Sequence, residues 1–157
     1  MKTLLTLAVV LTGAIAAPAA RAAHYTLDLN LASIHTEHWA RKQLNQRNEG
    51  LGITAQLAPS WSVSTGFYRN SYRRTSVYAL AAWTPLHIPL GAWHIDVGGE
   101  AGLVSGYLRN EVASSPLMAA GLVRLVSPWH WAIALSMVPN APNRSSGFIG
   151  AQLSLPL

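Results

Sequence analysis

The chain has no cysteine, which excludes a disulfide framework and any thiolate-held metal. Charge is scarce too: Asp, Glu, Lys and Arg make up 11% of the residues, where about 25% is usual for a soluble domain. Beyond the first residues no unbroken apolar run reaches the about 20 residues that a membrane-crossing helix needs. A chain this poor in charge, and without such helices, has one way left to meet lipid. That way is a closed barrel, because only helices and closed barrels satisfy every backbone hydrogen bond in hydrocarbon.

What is present begins with a leader. Lys2 is followed by an apolar run from Leu4 to Ala17 and then by Ala20-Arg21-Ala22, a small-residue cleavage pattern. Residues 1–22 are therefore expected to be a cleaved signal peptide, and residues 23–157 a single exported domain. Nine basic and six acidic residues remain after cleavage, a net charge of +3.

The rest of the chain alternates with period 2. In YTLDLNLASIH, Tyr25, Leu27, Leu29 and Leu31 share one face, and Thr26, Asp28 and Asn30 the other. LGITAQL and WSVSTGFY follow the same rule on either side of a short Ala58-Pro59-Ser60 turn. A fourth strand is expected from about Ser76 to Trp83, a fifth from Trp93 to Leu103, and a sixth from Leu117 to Val126. A seventh runs from Trp131 to Met137, and the last sets Ile149, Ala151, Leu153 and Leu155 against Gly150, Gln152 and Ser154. The expected fold is all-β: an eight-stranded antiparallel up-and-down transmembrane β-barrel, the smallest usual size. A soluble ligand-binding barrel alternates in the same way with its apolar face inward. Here the polar faces are mostly Gly, Ser, Thr and Ala, which suits a narrow interior. Trp61, Trp83, Trp93, Trp129 and Trp131 all lie beside the short turns, as an aromatic girdle would. The expected location is the bacterial outer membrane.

The connections also alternate. Short turns near Pro59 and Pro128, and an intermediate one from Thr84 to Gly91, oppose longer links at 36–49, 108–115 and 139–146. In outer-membrane barrels the longer loops lie outside. Arg41, Lys42 and Arg47 fall in the first of these, Arg69, Arg73 and Arg74 around the second, Arg109 at the third and Arg144 in the fourth. Eight of the nine mature basic residues thus ring one end, and only Arg124 does not. One reading is that charges simply avoid the hydrocarbon band. The other is that the cations bind phosphates of phospholipid or lipopolysaccharide, which arginine grips through paired hydrogen bonds. No nucleic-acid motif is present. A monomer embedded among outer-membrane lipids is expected, with no cofactor and no metal.

Three polar groups fall at that same rim: His35 at the end of strand one, and Asn70 with Ser71 at the end of strand three. Acyl transfer needs a hydroxyl and a base to take its proton. Strict alternation puts His35 and Ser71 on the lipid-facing parity and Asn70 on the inner one, so catalysis needs the strand ends to twist or bulge. His38 would face inward if strand one continued. Inside the barrel, Asp28, His94, Asp96 and Glu100 share the inward parity, with Arg124 the expected cation of an interior ion-pair network.

The order of features resembles the outer-membrane lipid A palmitoyltransferase family. The matching elements are His35 at the end of strand one, the NQRNEGLGI stretch with Gly50-Leu51-Gly52, and the aromatic strand GFYRNSY. Trp83-Thr84-Pro85-Leu86, Pro116-Leu117 and Pro139 follow in the same order. The resemblance covers nearly the whole mature chain through short motifs. It implies a barrel that moves an acyl chain from a phospholipid to lipid A. His35 would then be the general base, Ser71 the catalytic hydroxyl and Asn70 the orienting group. Asn70 stands where the family has Asp, and an amide cannot supply the negative charge that stabilises an imidazolium. Glu37 and Glu49 are the nearby acidic residues. A non-enzymatic barrel that binds lipopolysaccharide or a surface partner, and a lipid A deacylase using water as acceptor, are the alternative readings.

Overall fold

The alternating segments form eight strands in a computed structural model that describes residues 24–112, 114–140 and 146–157. The expected signal peptide at 1–22 and the loop cation Arg144 lie outside the described residues. The strands are β1 (His24–His35), β2 (Arg47–Ala58), β3 (Trp61–Arg69), β4 (Thr75–Leu90), β5 (Trp93–Val104), β6 (Leu117–Val126), β7 (Ala132–Val138) and β8 (Phe148–Pro156). One short helix, α1 (His38–Gln43), follows β1. Each strand pairs antiparallel with the next, and β8 pairs with β1, so the sheet closes. Closure removes the long free edges that an open sheet would present to other chains. No helix among the described residues is long and apolar enough to cross a membrane, which says nothing about strands.

Large apolar side chains point out of this barrel: Leu51, Phe67, Val77, Leu103, Leu117 and Ile133 are all exposed. The interior holds Asp28, Ser62, Ser76 and Asp96, and its apolar core is a small cluster of Ala82, Leu122 and Ala134. That inside-out distribution is what the alternation with small polar residues implies. Tyr78 fills much of the lumen. A side-chain carbon at Gly52 or Gly66 would run into its hydroxyl, so those glycines admit a bulky neighbour. Trp61 stacks on Trp83 at 6.0 Å and Trp93 meets Trp131 edge-on at 5.1 Å. All four sit at the short-turn end.

Two bulges change the expected facing. β1 carries one extra residue against β8 between Asn30 and Ala32, so Leu31 and Ala32 both face out. Beyond them the parity is inverted: Ile34 is 64% exposed and His35 is 1% exposed. The second bulge is in β4. The intermediate turn expected from Thr84 to Gly91 is instead a continuation of the strand to Leu90, and the hairpin closes at Gly91-Ala92, where Gly91 has a φ of +64°. The register slips between Trp83 and Leu86. Pro85, which has no N–H to give to a ladder, occupies the irregular position. Counted from Trp83, alternation would put His87 outside. The extra residue turns it inward, opposite Asp96.

The long link at 36–49 is also more ordered than a loop, since α1 and the first turns of β2 occupy much of it. β1 stops at His35, so His38 does not continue the inward parity; it opens α1 and is exposed.

Candidate active site

At the long-loop mouth His35 and Ser71 are brought together. The β1 bulge turns the imidazole into the barrel, and Nε2 lies 3.1 Å from the Ser71 hydroxyl, with both side chains buried. Ser71 sits in the tight turn between β3 and β4, not on a strand, so strand parity does not govern it. Asn70 builds that turn. Its Oδ1 accepts the amide hydrogens of Tyr72 at 2.9 Å and Arg74 at 3.0 Å, the side-chain mimicry of a backbone turn that asparagine favours. Its Nδ2 donates to Ser76 Oγ at 3.0 Å and to the Gly106 carbonyl at 2.9 Å.

The amide of Asn70 is engaged by its own turn, by β4 and by the β5–β6 link, and not by His35, so Asn70 does not orient His35 as the family pattern implies. It orients Ser71 instead, through the backbone. Asn45 reinforces the arrangement from the facing loop: its amide nitrogens reach the Ser71 carbonyl at 2.8 Å and the Asn70 carbonyl at 3.1 Å. Arg41 Nη1 donates to the carbonyls of His35 at 3.0 Å and Thr36 at 2.8 Å, fixing the end of β1. The imidazole packs against Phe148 at 5.8 Å between ring centres. Its Nδ1 is buried without a hydrogen-bond partner. Glu37 accepts the Trp39 indole N–H, and Glu49 is exposed. The site is therefore a His–Ser dyad with no carboxylate behind it among the described residues.

Ser71 opens onto an interior cavity of about 90 Å³ lined by Tyr68, Tyr78, Glu100, Tyr107, Ser136 and Phe148. Tyr68, Val104, Tyr107, Met118, Val138 and Phe148 also line a second space of about 360 Å³, bordered by Leu117, Ala119, Pro139 and Asn140. This second space lies where two strands fail to meet. β6 starts at Leu117, yet its ladder with β7 begins only at Gly121–Met137. Among the described residues, 117–120 pair with β5 alone, so the ladder has a gap beside this second space, which shares six lining residues with the cavity at Ser71. Sequence alternation did not single out Tyr107, which lies on the β5–β6 link beyond any period. Burial pushes its phenol above the ordinary value, so it faces the cavity as a neutral donor, 3.3 Å from the Tyr68 hydroxyl.

The expected phosphate-binding cations divide into two groups. Lys42, Arg47, Arg69 and Arg73 are exposed at the rim. Arg41 holds the end of β1, and Arg74 is engaged by Glu111 and by the Gly106 carbonyl while lying 5.3 Å from the centre of the Tyr72 ring. The expected interior network is smaller than the parity suggests. Arg124 Nη2 lies 3.3 Å from Asp96 Oδ2, as a paired interior charge requires. Asp28 has no ion pair among the described residues. It accepts hydroxyl hydrogens from Thr26 at 3.1 Å, Thr54 at 2.6 Å and Ser154 at 2.7 Å, and these three donors do the work expected of a cation. Glu100 lines the cavity and forms no ion pair among the described residues.

No known family model matches the chain, and no curated protein matches it.

Proposed function

We propose that the protein is an outer-membrane barrel that transfers an acyl chain between outer-leaflet lipids, with lipid A the acceptor. The observation that carries this reading is the His35–Ser71 hydrogen bond of 3.1 Å, made at a cavity that shares its lining with a second space beside the β6–β7 gap. A hydroxyl bonded to an imidazole is a nucleophile with its base in place. An opening in the wall suits a substrate that arrives sideways from lipid. The apolar exterior and the tryptophans at one end support membrane embedding.

In this reading Ser71 Oγ attacks the ester carbonyl of a phospholipid while His35 Nε2 takes the hydroxyl proton. The ester C–O bond breaks, His35 returns the proton to the departing lysolipid, and a hydroxyl of lipid A then attacks acyl-Ser71 by the same proton route. Tyr107 supplies a neutral donor toward the developing oxyanion. Lys42, Arg47, Arg69 and Arg73 hold lipid phosphates at the rim. Water in place of the acceptor hydroxyl would make the same site a deacylase.

Mass spectrometry of lipid A tests the proposal, from cells without the protein, with it, and with Ser71→Ala. A mass increase of one acyl chain that requires Ser71 supports transfer, and a loss of one supports deacylation. An unchanged acyl pattern in all three sinks both. The bare Nδ1 of His35 favours a second reading, in which the dyad locks the rim of a non-enzymatic barrel that binds lipopolysaccharide.

A further inference from the structure

A second serine is held in the same way at the opposite end of the barrel. Ser60 occupies the β2–β3 turn, and its Oγ lies 3.1 Å from His87 Nε2. The other ring nitrogen, Nδ1, lies 2.7 Å from Asp96 Oδ1. A hydroxyl on one imidazole nitrogen and a buried carboxylate on the other is the arrangement that activates a serine. The dyad at Ser71 lacks this third member; here it is complete.

The order of these groups is fixed by their surroundings. Asp96 is 4% exposed, while His87 is 40% exposed, so the carboxylate is shielded and the base is open to the short-turn side. Arg124 takes Asp96 Oδ2 at 3.3 Å, which leaves Oδ1 for His87 and for His94 Nε2 at 3.5 Å. The turn that carries Ser60 is tied down by its neighbours: the Ser60 carbonyl accepts the Thr84 amide hydrogen at 2.9 Å, and the Gln56 amide donates to Ala58 O at 2.7 Å. The β4 bulge sits behind His87, and Gly98 makes it fit, because any side-chain carbon there would collide with the Trp83 and Thr84 backbone.

We propose that Ser60, His87 and Asp96 form a second nucleophilic site, facing the short-turn end, that takes acyl groups from carboxylic esters small enough to reach an open mouth. Ser60 Oγ forms the bond to the acyl carbon as His87 Nε2 takes its proton. The C–O bond to the alcohol breaks, and His87 protonates the alcohol as it leaves. Water then attacks acyl-Ser60, giving its proton to His87, and the free acid departs with Ser60 restored. Ser60 and His87 are the catalytic residues, and Asp96 is a positioning residue. The site stands independently of Ser71.

The test uses the mature chain in detergent with a fluorophosphonate probe, which forms a phosphorus–oxygen bond to an activated serine and releases fluoride. The adduct is mapped by peptide mass spectrometry, so Ser60 and Ser71 are read separately. The expected result is an adduct at Ser60 that forms at least about 10²-fold more slowly in His87→Gln, the scale of a lost general base. The part of p-nitrophenyl acetate hydrolysis that Ser60→Ala removes should fall in parallel in His87→Gln. Folded protein is selected by heat-modifiable migration, and Asp96→Asn is the second variant should His87→Gln not fold. Absence of an adduct at Ser60, or an adduct that forms equally fast in whichever variant is folded, overturns the proposal and leaves the three residues as a lock between hairpin and turn.

Discussion

His35 meets Ser71 at 3.1 Å because two residues four and three positions before it, Leu31 and Ala32, both face outward. A strand with strict alternation would carry the imidazole on the outside, since a one-residue shift exchanges the faces. Deleting Leu31 should restore that alternation and move His35 outside. The barrel should still migrate as a heat-modifiable band, while acyl transfer, read from the lipid A mass spectrum, should fall by about 10²–10⁴-fold, as it should in His35→Asn. Full activity in the deletion would refute the role given to His35.

Asn70→Asp tests the loop. The change restores the residue type that the palmitoyltransferase family has, yet it should impair the protein. A carboxylate keeps the bonds from the Tyr72 and Arg74 amides but presents an acceptor where Nδ2 now donates to the Gly106 carbonyl and Ser76. Loss of a buried donor of this kind costs about 1–3 kcal/mol. Hydrogen exchange at the Tyr72 and Arg74 amides should quicken in Asn70→Asp and more so in Asn70→Ala. Enhanced transfer in Asn70→Asp with unchanged exchange would show that position 70 bears on catalysis and that the turn does not need the amide.

The Arg74–Glu111 pair gives the β5–β6 link a pH limit. Desolvation works against ionisation of Glu111, but the Arg74 guanidinium and the Leu108 amide outweigh it and hold the carboxyl below its usual value. A depressed folded value means that the contact stabilises the loop above the ordinary glutamate range and is lost as pH falls through the lower, folded value. The loop should therefore stay docked at neutral pH and detach in acid, once pH falls below the ordinary glutamate range. Protease sensitivity around Leu108 reports it. Glu111→Gln should be loosened at neutral pH already, and an identical acid profile in that variant would contradict the assignment.

Rim cations should not be equivalent. Replacing Lys42, Arg47, Arg69 or Arg73 by Ser should weaken binding to lipopolysaccharide vesicles about fivefold each, the equivalent of ~1 kcal/mol per charge near a lipid surface, and less at high salt. Arg41→Ser and Arg74→Ser should instead lower resistance to proteolysis at the rim. Equal, salt-independent effects across all six would argue against phosphate binding.

Most strands are legible because one face is apolar and the other small, a signal with the period of the sheet, whereas β4 and β6 blur it by placing Tyr78, Leu80, Met118 and Leu122 inside. The Ala132–Val138 strand follows from it directly, and the pairing of Asp96 with Arg124 follows once β6 turns Arg124 inward. The bulges were not legible, because an inserted residue such as Leu31 is chemically like its neighbours and leaves no mark in the pattern. Both histidines that face serines, His35 and His87, lie just beyond such an insertion. Parity therefore fails at the residues that carry the candidate chemistry. Asn70 was misread for another reason: its identity was weighed against a carboxylate, while the turn needed a side chain with donors as well as acceptors.

The unzipped stretch of β6 from Leu117 to Ala120 has a geometric consequence. Among the described residues, a wall held on one side only along this stretch can be parted there without breaking a ladder between β6 and β7. A lipid entering there, as the proposed function requires, would arrive with its long axis set by the wall. On the proposed acyl transfer, the seam and not a side chain would select which ester reaches Ser71.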